Sequence, residues 1–483
     1  MPARALPPWT DALWAGLAGT LVAGWHVEVP ALWRDEAASV AAATRTWAAF
    51  GGMIQHVDVV HAVYYAALHV WFLAVGYTPL TLRLPSVLAA GGTAAVVALL
   101  GARLGGRVAG VVAGLVAAVL PSLVWAGGEG RSYALTALLA AATVLALLHA
   151  LGPHRSRATA LLAWTGHAAL LALTAALFLD ALLLGGATAV AAALLGRGRQ
   201  RAAGAVAAVV AAIAVLPLAR LAAAQTGQVA WIRPATWHDV AVTQWFRSDA
   251  VAWTVLAVVV VGAVAAVLRH AVPAPALAVA LPWALLPPAA LLAAGLVHAP
   301  MYWPRYVTFT APAIALLVGL AAAALPRLLP AVAVLAIAVT ALPQVVADRQ
   351  PRAKAGSELQ LAARLVATER RPGDGPSGIV YGQYHHIPGV TTRIEEIAYP
   401  LPFRGLTDLT ARGPLAESTA LFGADTTTTA AVPRLRGLRT VWFLLDLDSE
   451  PKTVVPVAAM RVLGLRQTGT FRTSGSMLLR FSR

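Results

Sequence analysis

The sequence predicts an all-α polytopic membrane domain followed by a small α/β domain, and three observations carry that prediction. Of the 483 residues 59% are hydrophobic and 12% charged, with a mean hydropathy of +0.72. A soluble domain has about 25% charged residues, so most of the chain cannot be a water-soluble fold. The apolar residues come in runs of the roughly 20 residues that a helix needs to cross about 30 Å of hydrocarbon. These runs stop near residue 346. Nine acids precede that point and twelve lie in the 137 residues after it, which separates a membrane domain, 1–346, from a polar tail, 347–483.

The spans fall at about 10–30, 80–101, 107–126, 132–151, 158–177, 178–196, 202–223, 250–269, 275–297, 305–325 and 328–346. That makes about eleven transmembrane helices. The least marked division is at Asp180, where one long apolar run has to be cut around a short turn. The first run, behind Arg4, is expected to be a retained span and not a signal peptide, because no small-residue cleavage site stands before Trp25 and His26.

Orientation follows from the arginines. The turns holding Arg103 and Arg107, Arg155 and Arg157, Arg197, Arg199 and Arg201, Arg269, and Arg327 carry no acid and alternate with the other loops. By the positive-inside rule they face the cytoplasm. Glu28, Asp35, Glu36, Asp58, Glu129, Asp180, Asp239 and Asp249 then fall on or near the outer side, and an odd span count puts the tail there too. The expectation is a multi-pass protein of the cell membrane whose chemistry faces out. The net charge of +15 sits in short clusters between spans, a topology pattern and not a nucleic-acid surface. With no cysteine, disulfides, thiolate metal sites and cysteine nucleophiles are excluded.

Two outer loops stand out. Residues 31–78 interleave Trp33, Trp47, Phe50, Tyr64, Tyr65, Trp71 and Phe72 with Arg34, Asp35, Glu36, His56, Asp58 and His61, a mixture that suits amphipathic helices lying in the interface plane. Residues 225–249 are similar, with Trp231, Arg233, Trp237, His238, Trp245 and Arg247. In the tail, Ser357 to Arg371 has helical spacing and ends at Pro372-Gly373-Asp374. Strand-like runs follow at Gly378 to Tyr381, Val441 to Leu447 and Met477 to Phe481.

Candidate chemistry clusters in the first outer loop. Asp35 and Glu36 lie just beyond the first span, and Asp58 and His61 one segment later. A carboxylate there can take a proton from a hydroxyl within hydrogen-bond reach; the plainer reading is a pair of solvated charges at a helix end. Arg83, Arg131 and Arg305 each sit at an expected outer span end, the last two followed within two residues by Tyr133 and Tyr306. A guanidinium can grip a lipid phosphate through two parallel hydrogen bonds, although snorkelling to ordinary headgroups is the alternative. Other motifs carry less. Asp446-Leu447-Asp448 imitates a metal and nucleotide-sugar signature but ends a strand with no nucleotide-binding framework around it. Gly127-Gly128-Glu129-Gly130 lacks the following lysine of a phosphate loop. His385-His386 and His238-Asp239 lack a further fixed metal ligand, and His149, His154 and His167 lie in or beside spans without an assigned partner. No metal site is assigned.

The order Trp33-Arg34-Asp35-Glu36-Ala37, then His56-Val57-Asp58-Val59-Val60-His61-Ala62-Val63-Tyr64-Tyr65, then Arg83-Leu84-Pro85-Ser86, then Gly130-Arg131-Ser132-Tyr133-Ala134, then Arg305-Tyr306 resembles the polytopic GT-C glycosyltransferases. Among them it is most similar to bacterial family 39 and related mannosyltransferases. Many relatives have His-Pro-Pro-Leu-Tyr-Tyr where this chain reads His61-Ala62-Val63-Tyr64-Tyr65. The resemblance implies a polyprenyl-phosphate-sugar donor, mannose first among the sugars, and an extracytoplasmic glycan, lipid or protein acceptor reached among membrane lipids. It implies Asp35 as the base, Arg131 and Arg305 on phosphate with Arg83 beside them, and Glu36, Asp58, His61, Tyr65, Tyr133 and Tyr306 around sugar or acceptor. No cofactor is required, and a divalent metal at the acidic cluster stays open. The competing classes are a transporter or flippase of lipid-linked sugars, which would place ionisable groups at the bilayer midplane, and a non-catalytic membrane partner.

Overall fold

The computed structural model describes residues 8–384, 389–447 and 453–483. By its internal contacts the chain forms two compact units. One comprises Met1–Val27, Asp58–Tyr64 and Arg83–Arg349, the other Glu28–Val57, Tyr65–Leu82 and Gln350–Arg483.

The first unit is helical. Among the described residues eight helices are long and apolar enough to cross a membrane: Pro79–Val119, Tyr133–Ala150, Arg157–Leu177, Gln200–Ala223, Asp249–Leu268, Ala274–Val297, Pro304–Ala323 and Leu329–Ala347. The chain is therefore a multi-pass membrane protein. The eleven spans expected from sequence are not reached by that count. Pro8–Gly24 and Leu179–Leu195, at 17 residues each, fall just short of it, and Pro79–Val119 is one run of 41 residues. That run is bent where Gly106 takes φ 84°, a left-handed conformation that glycine reaches without a Cβ penalty. The division at Asp180 is present: Phe178 is extended, and a 3₁₀ turn, Leu179–Leu183, separates the helices Arg157–Leu177 and Leu184–Leu195.

Alanine and glycine dominate the packing. Helices in lipid gain little from burying apolar area, so small residues that let backbones approach decide the contacts. Gly319 shows the limit, since a Cβ there would lie 2.5 Å from the Ala109 carbonyl oxygen. Larger apolar residues point outward, as Leu162, Ile213, Trp253 and Val264 do, onto the surface that lipid would cover.

The second unit is built on a five-stranded sheet in the order β2-β1-β3-β5-β4. β1 (Ser377–Tyr381) runs parallel to β2 (Thr407–Asp408) and β3 (Thr440–Asp446), while β5 (Ser476–Ser482) is antiparallel to β3 and to β4 (Arg466–Arg472). Period-two alternation feeds two cores. Val441, Phe443 and Leu445 join Leu435, Met460 and Phe481 on one face; Trp442 and Leu444 join Tyr381 and Phe403 on the other, under the helix Leu359–Glu369.

The first-loop segments of this unit are helical at Arg34–Ala43 and Trp47–Ile54. A helix lying flat in the interface would keep a wet face, but Glu36 through Ala43 are all buried, so that expectation fails for Arg34–Ala43. The reason is its run of small side chains, which packs against the helix Arg393–Ala398. Around it the backbone N–H of Ala31 donates to Pro351 and that of Leu32 to the Tyr399 hydroxyl. The buried Arg45 guanidinium donates to the carbonyls of Ser418, Ala420 and Leu421. Burial holds Arg45 down at about 10.

Candidate functional site

In the helical unit, the sequence motifs meet around His61. The helix Tyr133–Ala150 begins directly after Arg131 and Ser132, and the 3₁₀ segment Pro304–Thr310 carries Arg305 and Tyr306. His61 ends a short 3₁₀ turn, Val59–His61, entered through Asp58 at φ 57°. The turn is tied to the second outer loop, where Gln228 Oε1 accepts from the Asp58 N–H and Gln225 Oε1 from the Val59 N–H, each at 3.1 Å.

The His61 imidazole is buried. Its Nδ1 lies 3.4 Å from Ser132 Oγ, its ring stacks on Phe178 at 5.8 Å, and Tyr133 meets it edge-on at 6.4 Å. Phe178 also contacts Tyr306, and Trp125 stacks on Tyr133. Burial, then the Arg131 and Arg305 cations, hold His61 well below the usual imidazole range. The ring is thus neutral, and both guanidiniums act on the same point. Arg305 sits 5.9 Å over Trp231 and 5.7 Å over Tyr306; the Arg131 carbonyl accepts from Ser86 Oγ at 3.3 Å. Arg131 is buried, which reduces the screening of its charge, while Arg305 stays partly exposed beside its aromatic neighbours.

Arg83 is placed differently. It is fully buried, and its Nη1 donates to the Val27 carbonyl at 2.6 Å.

In the sheet-containing unit lie Asp35, Glu36 and Tyr65. Asp35 and Glu36 occupy the first turn of Arg34–Ala43, where the positive end of the helix dipole favours a carboxylate. Asp35 is half-buried. Glu36 is fully buried, with the Lys354 ammonium 3.6 Å from its Oε1. Tyr65 is fully buried, and its hydroxyl acts electrostatically on Arg45. Among the described residues no three His, Asp or Glu side chains group as a metal site. Arg4, His385, His386 and Asp448 lie outside the described residues. His238 meets Asp249 at 3.3 Å, while Asp239 is held by Arg233 and Thr236.

No protein-family model matches the chain, and no curated protein does. Solved structures do. ArnT from Cupriavidus metallidurans in the apo state aligns at a TM-score of 0.59 over 98% of this chain and 98% of its own, with 13% identity. The same protein bound to undecaprenyl phosphate gives 0.57, 14% identity, 99% of this chain and 98% of its own. The arabinofuranosyltransferase AftD from Mycobacteria gives 0.51 and 16% identity over 97% of this chain and 40% of its own. These neighbours are GT-C glycosyltransferases.

The chain has the GT-C fold.

Within this GT-C fold several residues near the candidate groups escaped the sequence reading. Lys354 had a signal, because it is one of only two lysines among 36 basic residues. Phe178 sat inside an apolar run and offered none. Arg247, 4.8 Å over Trp125 and 3.3 Å from Asp348, looked like one more interfacial arginine. Arg349, which donates to the Trp25 and Ala23 carbonyls, fell on the boundary between span and tail.

Proposed function

We propose that this protein transfers a sugar from a polyprenyl-phosphate-sugar donor to an extracytoplasmic acceptor, with inversion at the anomeric carbon. The observation that carries the reading is that Arg131 and Arg305 act on one buried, aromatic-walled point at His61. Two guanidiniums and a neutral imidazole suit a lipid phosphate. One structural neighbour is bound to undecaprenyl phosphate and another is an arabinofuranosyltransferase, which supports a lipid-phosphate donor and keeps a pentose beside mannose as the sugar. The motifs of family 39 favour mannose.

Asp35 is the base. Its carboxylate takes the proton of the acceptor hydroxyl as that oxygen bonds to the anomeric carbon, and the carbon–oxygen bond to phosphate breaks with its electron pair. Polyprenyl phosphate leaves carrying the charge that Arg131 and Arg305 neutralise, so no general acid is needed. Asp58, Glu36, Tyr65, Tyr133, Tyr306 and Arg83 position sugar, acceptor or the groups that touch them.

The proposed site and the tail belong to the outer face in this reading, which takes the odd span count expected from the arginine-rich turns; the eight long apolar helices do not by themselves fix that number.

The test is turnover of the purified protein with polyprenyl-phosphate mannose and polyprenyl-phosphate arabinose. Asp35→Asn keeps shape but cannot take a proton, so transfer falls by about 10²–10⁴-fold with donor binding retained. Loss in Asp58→Asn with full activity in Asp35→Asn moves the base to Asp58; full activity in both removes base catalysis from this loop.

A further inference from the structure

A cavity of about 530 Å³ opens within the sheet-containing unit, lined among others by Arg393, Glu396, Asp408, Arg412, Leu415 and Arg434. Arg393 is 5% exposed and is fixed at one end. Its Nε donates to Asp408 Oδ2 at 2.6 Å, and its Nη2 to Thr410 Oγ1 at 2.9 Å and Asp425 Oδ1 at 2.8 Å. Asp408 is used up in turn, because its Oδ1 accepts from the N–H groups of Thr410 and Ala411 and from the Thr410 hydroxyl. Nη1 is the end left over. It has no acceptor among the described residues, and it lies 3.5 Å from where a Cβ on Gly423, another lining residue, would stand. Glycine at that position, with φ 81°, keeps the space beside Nη1 open.

Glu396 is arranged alike. Its Oε2 accepts from the Tyr381 hydroxyl at 2.7 Å, while Oε1 has no hydrogen-bond partner among the described residues. Neither Arg393 Nη1 nor Glu396 Oε1 is among the sealed polar atoms of the fold, so each keeps accessible surface in a residue that lines the cavity. Arg412 is exposed, and its guanidinium makes no hydrogen bond or ion pair among the described residues. Arg434, also exposed, spends one N–H on the Ala411 carbonyl at 2.6 Å. The unspent capacity is therefore lopsided: three guanidiniums still have N–H groups to donate, and one carboxyl oxygen faces them. A ligand that completes this set brings several acceptors and one donor.

We propose that this cavity binds an acidic carbohydrate, its carboxylate or phosphate held by the remaining N–H groups of Arg393, Arg412 and Arg434, and a ring hydroxyl donating to Glu396 Oε1. Planar guanidiniums match an oxyanion through paired hydrogen bonds, and Arg412 and Arg434 meet no carboxylate of the chain among the described residues. Ile397, Pro400 and Leu415 add apolar wall for the C–H faces of a ring. The choice of a carbohydrate rests on the transferase reading above; the choice of an anion does not.

The test is a ligand-observed NMR titration of the full chain in phosphatidylcholine nanodiscs, with methyl β-glucuronide, glucose 1-phosphate, methyl β-glucoside and inorganic phosphate as probes. Wild type binds one of the two acidic sugars about tenfold or more tightly than the neutral one, and which of them it prefers tells carboxylate from phosphate. Arg412→Ala and Arg434→Ala each weaken that probe about tenfold, while Arg436→Ala, at an exposed arginine outside the lining, does not. Undetectable binding of every probe, equal affinity for acidic and neutral sugars, inorganic phosphate bound as tightly as the preferred sugar, or acidic-sugar binding unchanged when Arg412→Ala and Arg434→Ala are combined overturns the proposal. Asp35→Asn separates the two readings, since it stops transfer and leaves probe binding intact. Binding through these arginines in a protein that transfers no sugar keeps the cavity and removes the transferase. Transfer that depends on Asp35 with a cavity indifferent to Arg412 and Arg434 does the reverse.

Discussion

The Lys354 ammonium lies 3.6 Å from Glu36 Oε1, with 5% of the lysine side chain and none of the glutamate exposed. Two adjacent acids, Asp35 and Glu36, thereby differ in burial: the first is half-buried, the second fully buried in an internal ion pair. Removing one partner of such a pair strands the other charge out of water, at a cost of about 3–5 kcal/mol. Glu36→Gln should accordingly lower the thermal midpoint of the purified protein well below that of Asp35→Asn. Equal midpoints in scanning fluorimetry would mean that water reaches the pair.

Donor affinity should respond to the two arginines in a particular way. Arg131→Lys and Arg305→Lys keep the charge but lose the planar fork, so each weakens polyprenyl phosphate binding by about tenfold while acceptor KM stays near wild type. Unchanged donor affinity in both variants would return these residues to ordinary headgroup contacts.

Glu395 predicts a pH dependence of stability. Its folded pKa of about 8 lies above the unfolded value near 4.5, so between those limits the folded state holds the proton that the unfolded state releases. The contribution of this group is therefore greatest below about pH 4.5 and is lost as pH rises toward 8. Glu396, raised by burial, acts in the same direction. Comparison of thermal midpoints from pH 5 to 8 should show a shallower decline in Glu395→Gln; identical slopes would exclude Glu395 as the source.

Gly106 gives a backbone test free of steric clash, because a Cβ there meets nothing within 4 Å, and the penalty comes from φ 84° alone. Gly106→Ala should cost about 1–3 kcal/mol, because φ 84° with ψ 178° is a region essentially confined to glycine. Gly319→Ala meets the Ala109 carbonyl instead and should cost more. The opposite order would place the larger strain in the bend and not in the helix packing.

Topology can be read with single cysteines, since the native chain has none. Arg199→Cys should label only from the cytoplasm and Thr468→Cys only from outside. Labelling of both from one side would overturn the odd span count.

Much of this architecture was legible because hydropathy and period-two alternation are strong signals. Most expected spans coincide with apolar helices to within a few residues, but the first helix stops at Gly24 and not near residue 30, and the second and third expected spans share one bent run, Pro79–Val119; β1, β3 and β5 lie within a residue or two of their expected places, because their buried runs are apolar. β4 was missed for the opposite reason: Arg466-Gln467-Thr468-Gly469-Thr470-Phe471-Arg472 is mostly exposed and has little to bury. β2, at two residues, is too short for any pattern. The candidate groups Arg131, Tyr133, Arg305, Tyr306 and His61 were named from order along the chain, and the structure gathers them. What order could not convey is partnership. Nothing in Asp35-Glu36 says that the second acid is taken up by a lysine more than three hundred residues on, nor does Glu395-Glu396 say which oxygen is left unanswered.

The polar edge strand has a further consequence for a protein held in a membrane. Confinement to a bilayer raises local concentration, and every copy carries the same sheet at the same height, so a bare and regular edge would invite one copy to extend the sheet of the next. β4 closes that route with arginine at each end and a register shift between Gln467 and Gly469 that breaks the line of unpaired backbone groups. An edge interrupted in this way is a poor template for the sheet of a neighbouring copy.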